Sequence, residues 1–388
     1  NSLRVSSAVK PRNCPSCSTN DPLGMMAFPT FSSTVRHLLV AVVWLLLGLS
    51  ASARQADVLR RVRLSNWGIA PHNFSGIAPL GENRFAVVSD KDSAAGFHVW
   101  HIEQDALTGA VVRVVDEGFR SHSPLPAWRP APDYEGVAFE PEAQRIWIAD
   151  EATQQIRAYR PDGFPTGDSL FVPADVNRQA VRPNRGFEAL TYSAHHALLW
   201  TAPEEPPRAA PSSVTTVAHD GDTTGAVIEL LAFSPTGALS HRVPYRIDRA
   251  APAEGVRTHL NGVPALCALS DGSLIVMERE LIVPRRYLGS RCEVRLYRVR
   301  AEELSAHLSA PNPRAAPVSK HLLARWDTRL RLFRFDLANY EGLCLGRRLG
   351  DGRQTLLCVS DAQGGAGRWF LRLHDVLRVV VLPAIFDE

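Results

Sequence analysis

One local grammar, repeated five times, restricts this chain more than any other feature. Each copy has a small polar loop with glycine, a short apolar run, a turn, a second apolar run and then acidic residues. The first copy is Asn73-Phe74-Ser75-Gly76-Ile77, then Phe85-Ala86-Val87-Val88, then Asp90 and Asp92. The second is Asp133-Tyr134-Glu135-Gly136-Val137, then Ile146-Trp147-Ile148, then Asp150-Glu151. The third is Asn184-Arg185-Gly186-Phe187-Glu188-Ala189-Leu190, then Leu198-Leu199-Trp200, then Glu204-Glu205. A weaker fourth runs Asn261-Gly262-Val263, then Leu274-Ile275-Val276, then Glu278-Arg279-Glu280, and the fifth Asn339-Tyr340-Glu341-Gly342-Leu343, then Leu356-Leu357-Cys358-Val359, then Asp361.

Each copy continues into a third strand-like run, such as Gln155-Ile156-Arg157-Ala158-Tyr159, with turn signals such as Asp271-Gly272 between runs. Repeated sheets of three or four short strands predict an all-β chain folded as a β-propeller. The glycines at 76, 136, 186, 262 and 342 are unevenly spaced. The two widest gaps need an insertion or an extra blade. Residues 205–225, rich in Pro, Ser and Thr, read as an inserted loop, and residues 298–338 as room for a degenerate blade with a strand at 330–335. The expectation is six blades, with five or seven also open.

Composition supports this reading and removes others. There are 26 glycines and 28 prolines, spread along the chain, a density of turn formers that suits many short strands. With 43 basic and 40 acidic residues the net charge is only +3, so no nucleic-acid partner is expected. No GxGxxG, P-loop or G-x-S-x-G stretch is present.

The N-terminal part reads separately. Residues 38–49 are uninterruptedly apolar, preceded by Arg36 and His37 and followed by Ala51-Ser52-Ala53. The run is short of the roughly 20 residues that span a bilayer and has the layout of a secretory signal peptide. Residues 1–35 are expected to be upstream translation and signal n-region, 36–53 the signal peptide, and 54–388 a single propeller domain. That predicts a periplasmic or secreted monomer with no membrane span after cleavage. Cys14 and Cys17 fall in the leader and carry no redox or zinc reading. Export would put Cys267, Cys292, Cys344 and Cys358 in an oxidising compartment. Cys344 and Cys358 flank the turn-rich 346–352 and are candidates for a disulfide across a hairpin; pairing among the four is left open by spacing.

A hairpin returns to where it began, so the residue opening its first strand lies near the residue closing its second. Glu135 should therefore lie near Asp150 and Glu151, Glu188 near Glu204, and Glu341 near Asp361, all at one end of the central channel. Converging carboxylates raise one another's pKa unless a cation neutralises them. Oxygen donors without clustered His or Cys favour Ca²⁺. The candidate metal ligands are Glu135, Glu188, Glu341, Asp150, Glu151, Glu204, Glu278, Asp361 and Asp90. Glu135 or Glu188 is the candidate general base, with Arg185 or Arg279 steadying developing negative charge. The aromatics Tyr134, Phe187 and Tyr340 read as core wedges between blades. The 13 histidines are scattered, and those at 98, 101, 195 and 196 read as surface or structural residues.

At these residues the chain resembles the phytase-like family, also described as esterase-like activity of phytase. The stretches that carry the likeness are DYEGVAFEPEAQRIWIADE, NRGFEALTYSAHHALLWTAPEE, the LIVMERE strand end and NYEGLCLG followed by LLCVSDAQ. The resemblance implies an exported β-propeller that hydrolyses esters or phosphoesters with calcium and a small-molecule substrate. The chain lacks the D-A-x-D-D-P-A stretch of the alkaline β-propeller phytases and has only three lysines. Phosphate binding would then fall to Arg185, Arg279, Arg285, Arg286 and Arg368. A lactonase-type propeller and a calcium-stabilised binding propeller of the cell envelope are the alternatives.

Overall fold

The computed structural model describes residues 55–90, 92–122, 132–176, 186–206, 225–309, 316–362 and 373–384. The leader, most of the inserted loop, Arg185 and Arg368 lie outside the described residues.

Five antiparallel sheets follow one another along the chain. The first blade is β3 (Phe74–Gly81), β4 (Arg84–Ser89), β5 (Phe97–Gln104) and β6 (Val111–Arg120). The second is β7 (Tyr134–Glu140), β8 (Arg145–Asp150), β9 (Gln155–Tyr159) and β10 (Pro165–Ser169). The third is β11 (Phe187–Ser193), β12 (Leu198–Pro203), β13 (Val227–Phe233) and β14 (Leu239–Arg246). The fourth is β15 (Val256–Ala268), β16 (Leu274–Pro284), β17 (Arg291–Val299), β18 (His321–Arg331) and β19 (Arg334–Phe335), with helix α1 (Ala301–Ser309) between β17 and β18. The fifth is β20 (Asn339–Arg348), β21 (Gln354–Asp361) and β22 (Val376–Val381), completed by β1 (Asp57–Val58) and β2 (Val62–Arg63).

Among the described residues five blades, not six, therefore form the propeller. The wide gap between Gly262 and Gly342 is filled by long strands and α1 within one blade. The strand expected at 330–335 is the end of β18 and its hairpin with β19, where Leu330 pairs with Phe335.

The ring closes twice over. At the rim, Asp57 and Val58 pair with Val381 and Val380, and Val62 and Arg63 with Leu377 and Val376. The start of the domain thus covers the edge that the last blade would otherwise expose. At the axis, β3, β7, β11, β15 and β20 are neighbours in a closed circuit. The circuit is tight enough to demand glycine. A Cβ on Gly76 would lie 2.6 Å from the Glu135 carbonyl oxygen, on Gly136 2.5 Å from that of Glu188, and on Gly342 2.7 Å from that of Ser75.

The core lies between blades. Trp100, Trp147 and Trp200 are each fully buried, and full burial of a large apolar side chain is worth roughly 1.5–3 kcal/mol. Tyr134, Phe187 and Tyr340 are buried too; the Tyr134 and Tyr159 hydroxyls meet at 2.9 Å, and Arg378 Nε donates to Tyr340 Oη at 2.9 Å.

The four described cysteines are buried free thiols, so the candidate disulfide between Cys344 and Cys358 is not formed. In the β20–β21 ladder Cys344 pairs with Leu357 and Cys358 with Leu343. One residue out of register puts the two side chains on opposite faces of the sheet, and they enter different core clusters.

Candidate functional site in the channel

A repeated irregularity builds the site. In each of four hairpins the register slips at the same place: between Phe74 and Gly76, Tyr134 and Gly136, Phe187 and Ala189, and Tyr340 and Gly342. The residue left unpaired is Ser75, Glu135, Glu188 or Glu341. A β-bulge re-aims the side chain it inserts. Here it does so three times for a glutamate, on the innermost strands at one end of the channel. The hairpin partners arrive as expected: Tyr134 pairs with Asp150, Phe187 with Pro203 just before Glu204, and Asn339 with Asp361.

The carboxylates form two groups. The first surrounds Arg279, which is fully buried on β16. Its Nη1 donates to Asn339 Oδ1 at 2.9 Å and to Glu341 Oε1 at 2.7 Å, and its Nη2 donates to Glu204 and lies 3.8 Å from Glu188 Oε2. Burial by itself would lower the guanidinium pKa, but the charges of Glu204, Glu341 and Glu188 override it and hold the group firmly protonated. Glu188 Oε2 is buried with no hydrogen-bond partner. Burial, and then the Glu204 charge, push the Glu188 carboxyl well above its usual range; Arg279 pulls it partly back. Glu341 behaves alike, raised by burial and by Asp361 against the pull of Arg279.

The second group is Asp90, Asp133 and Glu135, with one carboxylate oxygen from each lying within 4.8 Å of the others. All three are half-buried. The Glu135 carboxyl is pushed well up by burial first, and then by the charges of Glu341, Glu151, Asp133 and Asp90. Asp133 was not singled out from sequence, although it opens the same Asp-Tyr-Glu-Gly stretch as Glu135.

Other candidates are placed differently. Glu151 is buried and accepts the Gly186 N–H at 2.8 Å, tying the second blade to the third. Asp150 accepts Thr153 Oγ1 at 2.8 Å and serves its own turn. Glu278 is not brought to the carboxylate groups. It neighbours Arg279 on a strand, so it faces the other way, into Tyr245 Oη at 2.8 Å, the Asp248 N–H at 3.0 Å and Lys320. Arg285 and Arg286 are exposed in the turn between β16 and β17.

Sequence reasoning also passed over a cluster on the first blade. His72 Nε2 lies 2.7 Å from Asp92 Oδ1, and His98 Nε2 lies 3.5 Å from the same oxygen. Burial works to lower the His98 pKa, yet hydrogen bonds to Asp116 and Asp92 carry it up to about 9. His72 precedes the inner strand, Asp92 follows the second and His98 opens the third, so no short motif connects them.

Among the described residues no helix is long and apolar enough to cross a membrane. No curated protein matches the sequence. Among solved structures, an endo-arabinase from Bacteroides thetaiotaomicron is 12% identical with a TM-score of 0.41, covering 84% of this chain and 98% of that one. The periplasmic gluconolactonase PpgL of Pseudomonas aeruginosa is 16% identical with a TM-score of 0.31, covering 78% and 71%. The Cps50 (Swd1) β-propeller domain of Myceliophteria thermophila is 11% identical with a TM-score of 0.31, covering 84% and 100%. Likeness of this degree carries no argument about chemistry. Sequence is more specific: the motif-bearing hairpins all fall within residues 70–362, the stretch that matches the phytase-like family, esterase-like activity of phytase, and the chain belongs to that family.

Proposed function

We propose that this protein is an exported, calcium-dependent hydrolase of small-molecule esters, with its reaction centre at the mouth of the propeller channel. The carrying observation is the Asp90–Asp133–Glu135 group. Three carboxylates with oxygens within 4.8 Å of one another fit the oxygen-only shell of Ca²⁺, in which ligands lie about 2.3–2.6 Å from the ion. Mutual repulsion among the three carboxylates is a term that a bound cation would offset. When bound, the ion would polarise an ester oxygen and ease deprotonation of a water.

The chain's own residues supply the rest. Glu135 is half-buried beside the proposed ion, where its carboxylate can accept a proton from a water activated by that ion. Arg279 positions Glu341 and Glu204 through its guanidinium fork. With Glu204, Glu341 and Glu188 on it, the fork is committed to the protein's own carboxylates. That arrangement favours an uncharged carboxyl ester or lactone over a polyanionic phosphoester at this position. A phosphate-bearing substrate would instead rely on exposed arginines such as Arg285 and Arg286.

The test is a panel of carboxyl esters, lactones, phosphomonoesters and phytate, assayed with Ca²⁺ and with chelator, on wild type and Glu135→Gln. Calcium-dependent turnover of esters or lactones, lost in Glu135→Gln, is the expected result. Absence of calcium-dependent turnover on every substrate would overturn the enzyme and leave a binding propeller.

A further inference from the structure

We propose that His72, Asp92 and His98 form a second metal site, for a divalent transition ion and by preference Zn²⁺, on the first blade and separate from the carboxylates of the channel. One nitrogen from each histidine and one Asp92 oxygen all lie within 4.8 Å of one another. Tetrahedral zinc with bonds of about 2.0–2.1 Å spaces its ligand atoms roughly 3.3 Å apart. The observed 2.7 Å between His72 Nε2 and Asp92 Oδ1 and 3.5 Å between His98 Nε2 and the same oxygen bracket that value.

Three further observations point to a ligand. Asp92 is only 7% exposed, and its second oxygen, Oδ2, is buried without a hydrogen-bond partner, as is His98 Nε2. A carboxylate oxygen sealed from water and left without a partner is a costly state unless something is bound. The outer nitrogen of His98 already has what a metal-bound histidine needs. Its Nδ1 lies 3.2 Å from Asp116 Oδ2, a carboxylate partner that fixes the ring and presents Nε2 inward. His72 is held by its backbone, the N–H donating to Asp375 Oδ2 at 2.8 Å and the carbonyl accepting from Ser89 Oγ.

The site opens on a groove of about 570 Å³ lined by His72, His98 and Asp116 together with Trp67, Ile69 and Arg113. Three protein ligands beside an open groove are the arrangement of a zinc site with an exchangeable position, filled by water or an oxygen of a bound molecule. Mixed nitrogen and oxygen donors select against calcium, so the two sites divide their ions by ligand chemistry.

The experiment is a chelator-competition titration of metal-free full-length protein with Zn²⁺, alongside the ligand-field spectrum of the Co²⁺-loaded protein. One equivalent of Zn²⁺ should bind. His98→Gln and Asp92→Asn should each weaken it more than about a hundredfold, and Asp116→Asn about ten- to a hundredfold. Glu135→Gln, in the channel, and His101→Gln, on the same strand as His98, should leave it unchanged. No bound Zn²⁺, no tetrahedral Co²⁺ spectrum in wild type, or a loss that follows Glu135→Gln instead would each overturn the proposal. The wild-type Co²⁺ spectrum gives this answer even where a ligand variant fails to fold.

Discussion

Replacing Arg279 by Met tests the electrostatic account of the channel most directly. The guanidinium is fully buried and serves Glu204, Glu341 and Asn339 at hydrogen-bond distance, with Glu188 just beyond. Methionine keeps much of the stem's volume and removes the charge. Taking one partner from a buried pair costs about 3–5 kcal/mol, and here more than one carboxylate loses its counter-charge. Against a total stability of about 5–15 kcal/mol, the variant should melt on the order of 10 °C lower at neutral pH. Arg279→Lys, which keeps the charge but not the fork, should fall between. The deficit should also depend on pH. Glu188 and Glu341 already have raised pKa values, and the variant raises them further. A carboxyl raised in the folded state contributes stability that is present below its unfolded pKa and lost as pH rises through its folded one. The Met variant should therefore recover toward wild type as pH is lowered from neutral toward the ordinary carboxylate range, as protons replace the missing cation. Thermal melts with chelator present, followed by circular dichroism at both ends of that range, would show this. A Met variant that melts with wild type at neutral pH, or a deficit of equal size at both, would refute the reasoning.

Three further outcomes follow from the same geometry. Glu135→Gln should weaken calcium affinity and shrink calcium-dependent thermal stabilisation in parallel, because an ion that binds only the folded state stabilises it by mass action; isothermal titration should show Glu82→Gln and Glu142→Gln, both in turns, unchanged. Gly136→Ala should destabilise by about 1–3 kcal/mol in denaturant melts, since its Cβ would lie 2.5 Å from the Glu188 carbonyl oxygen, whereas Gly350→Ala, with nothing nearer than 3.7 Å, should be close to neutral. Deleting residues 54–63 should leave the Val376–Val381 edge uncovered and show as concentration-dependent aggregation in light scattering.

The repeat was legible because each copy pairs locally. A hairpin's ends meet by geometry alone, so the approach of Glu188 to Glu204 and of Glu341 to Asp361 needed only strand order. Blade count was harder. Spacing between loop glycines measures contour length, and long strands with one helix can occupy the contour of a blade without adding a sheet. Arg279 illustrates a second limit. Its strand and neighbours placed it at the right end of the channel, but its partners come from the third and fifth blades, and only assembly of the ring shows that they occupy both Nη1 and Nη2. Alternation along β16 could have removed Glu278 from the ligand set, since a residue adjacent to Arg279 on a strand faces away from it. The His72–Asp92–His98 cluster had no comparable signal, because its members belong to three separate segments that converge only once the first blade is built.

The bulge connects fold to chemistry. With regular pairing, the inner strand would alternate its side chains between the two faces of its own blade, toward neighbouring blades rather than toward the axis. Inserting one residue after Phe74, Tyr134, Phe187 and Tyr340 leaves Ser75, Glu135, Glu188 and Glu341 outside the ladder. The same insertion presents Gly76, Gly136 or Gly342 to a carbonyl of the adjacent blade, so the device that positions the carboxylates also sets the inter-blade distance. That coupling gives the charge a structural consequence. Three glutamates, with Glu204 and Asp361 behind them, are fixed at one end of a ring that cannot widen without breaking its closest packing. Drift cannot relieve the repulsion; Arg279 relieves it on one side, and protonation or a bound cation would relieve it further. A serine in place of glutamate at position 75 leaves the first blade's bulge without a carboxylate. There Asp90, from the end of that blade's second strand, joins Asp133 and Glu135 from the next blade. The cation-binding geometry thus arises at the seam between the first and second blades, away from the guanidinium. Moving the charge should move the ion: Ser75→Glu should raise calcium affinity at this seam, while Arg279→Met should create additional calcium binding around Glu188, Glu204 and Glu341. Both are readable by titration with calcium alone, and failure of both would show that local charge does not govern where the channel holds a cation.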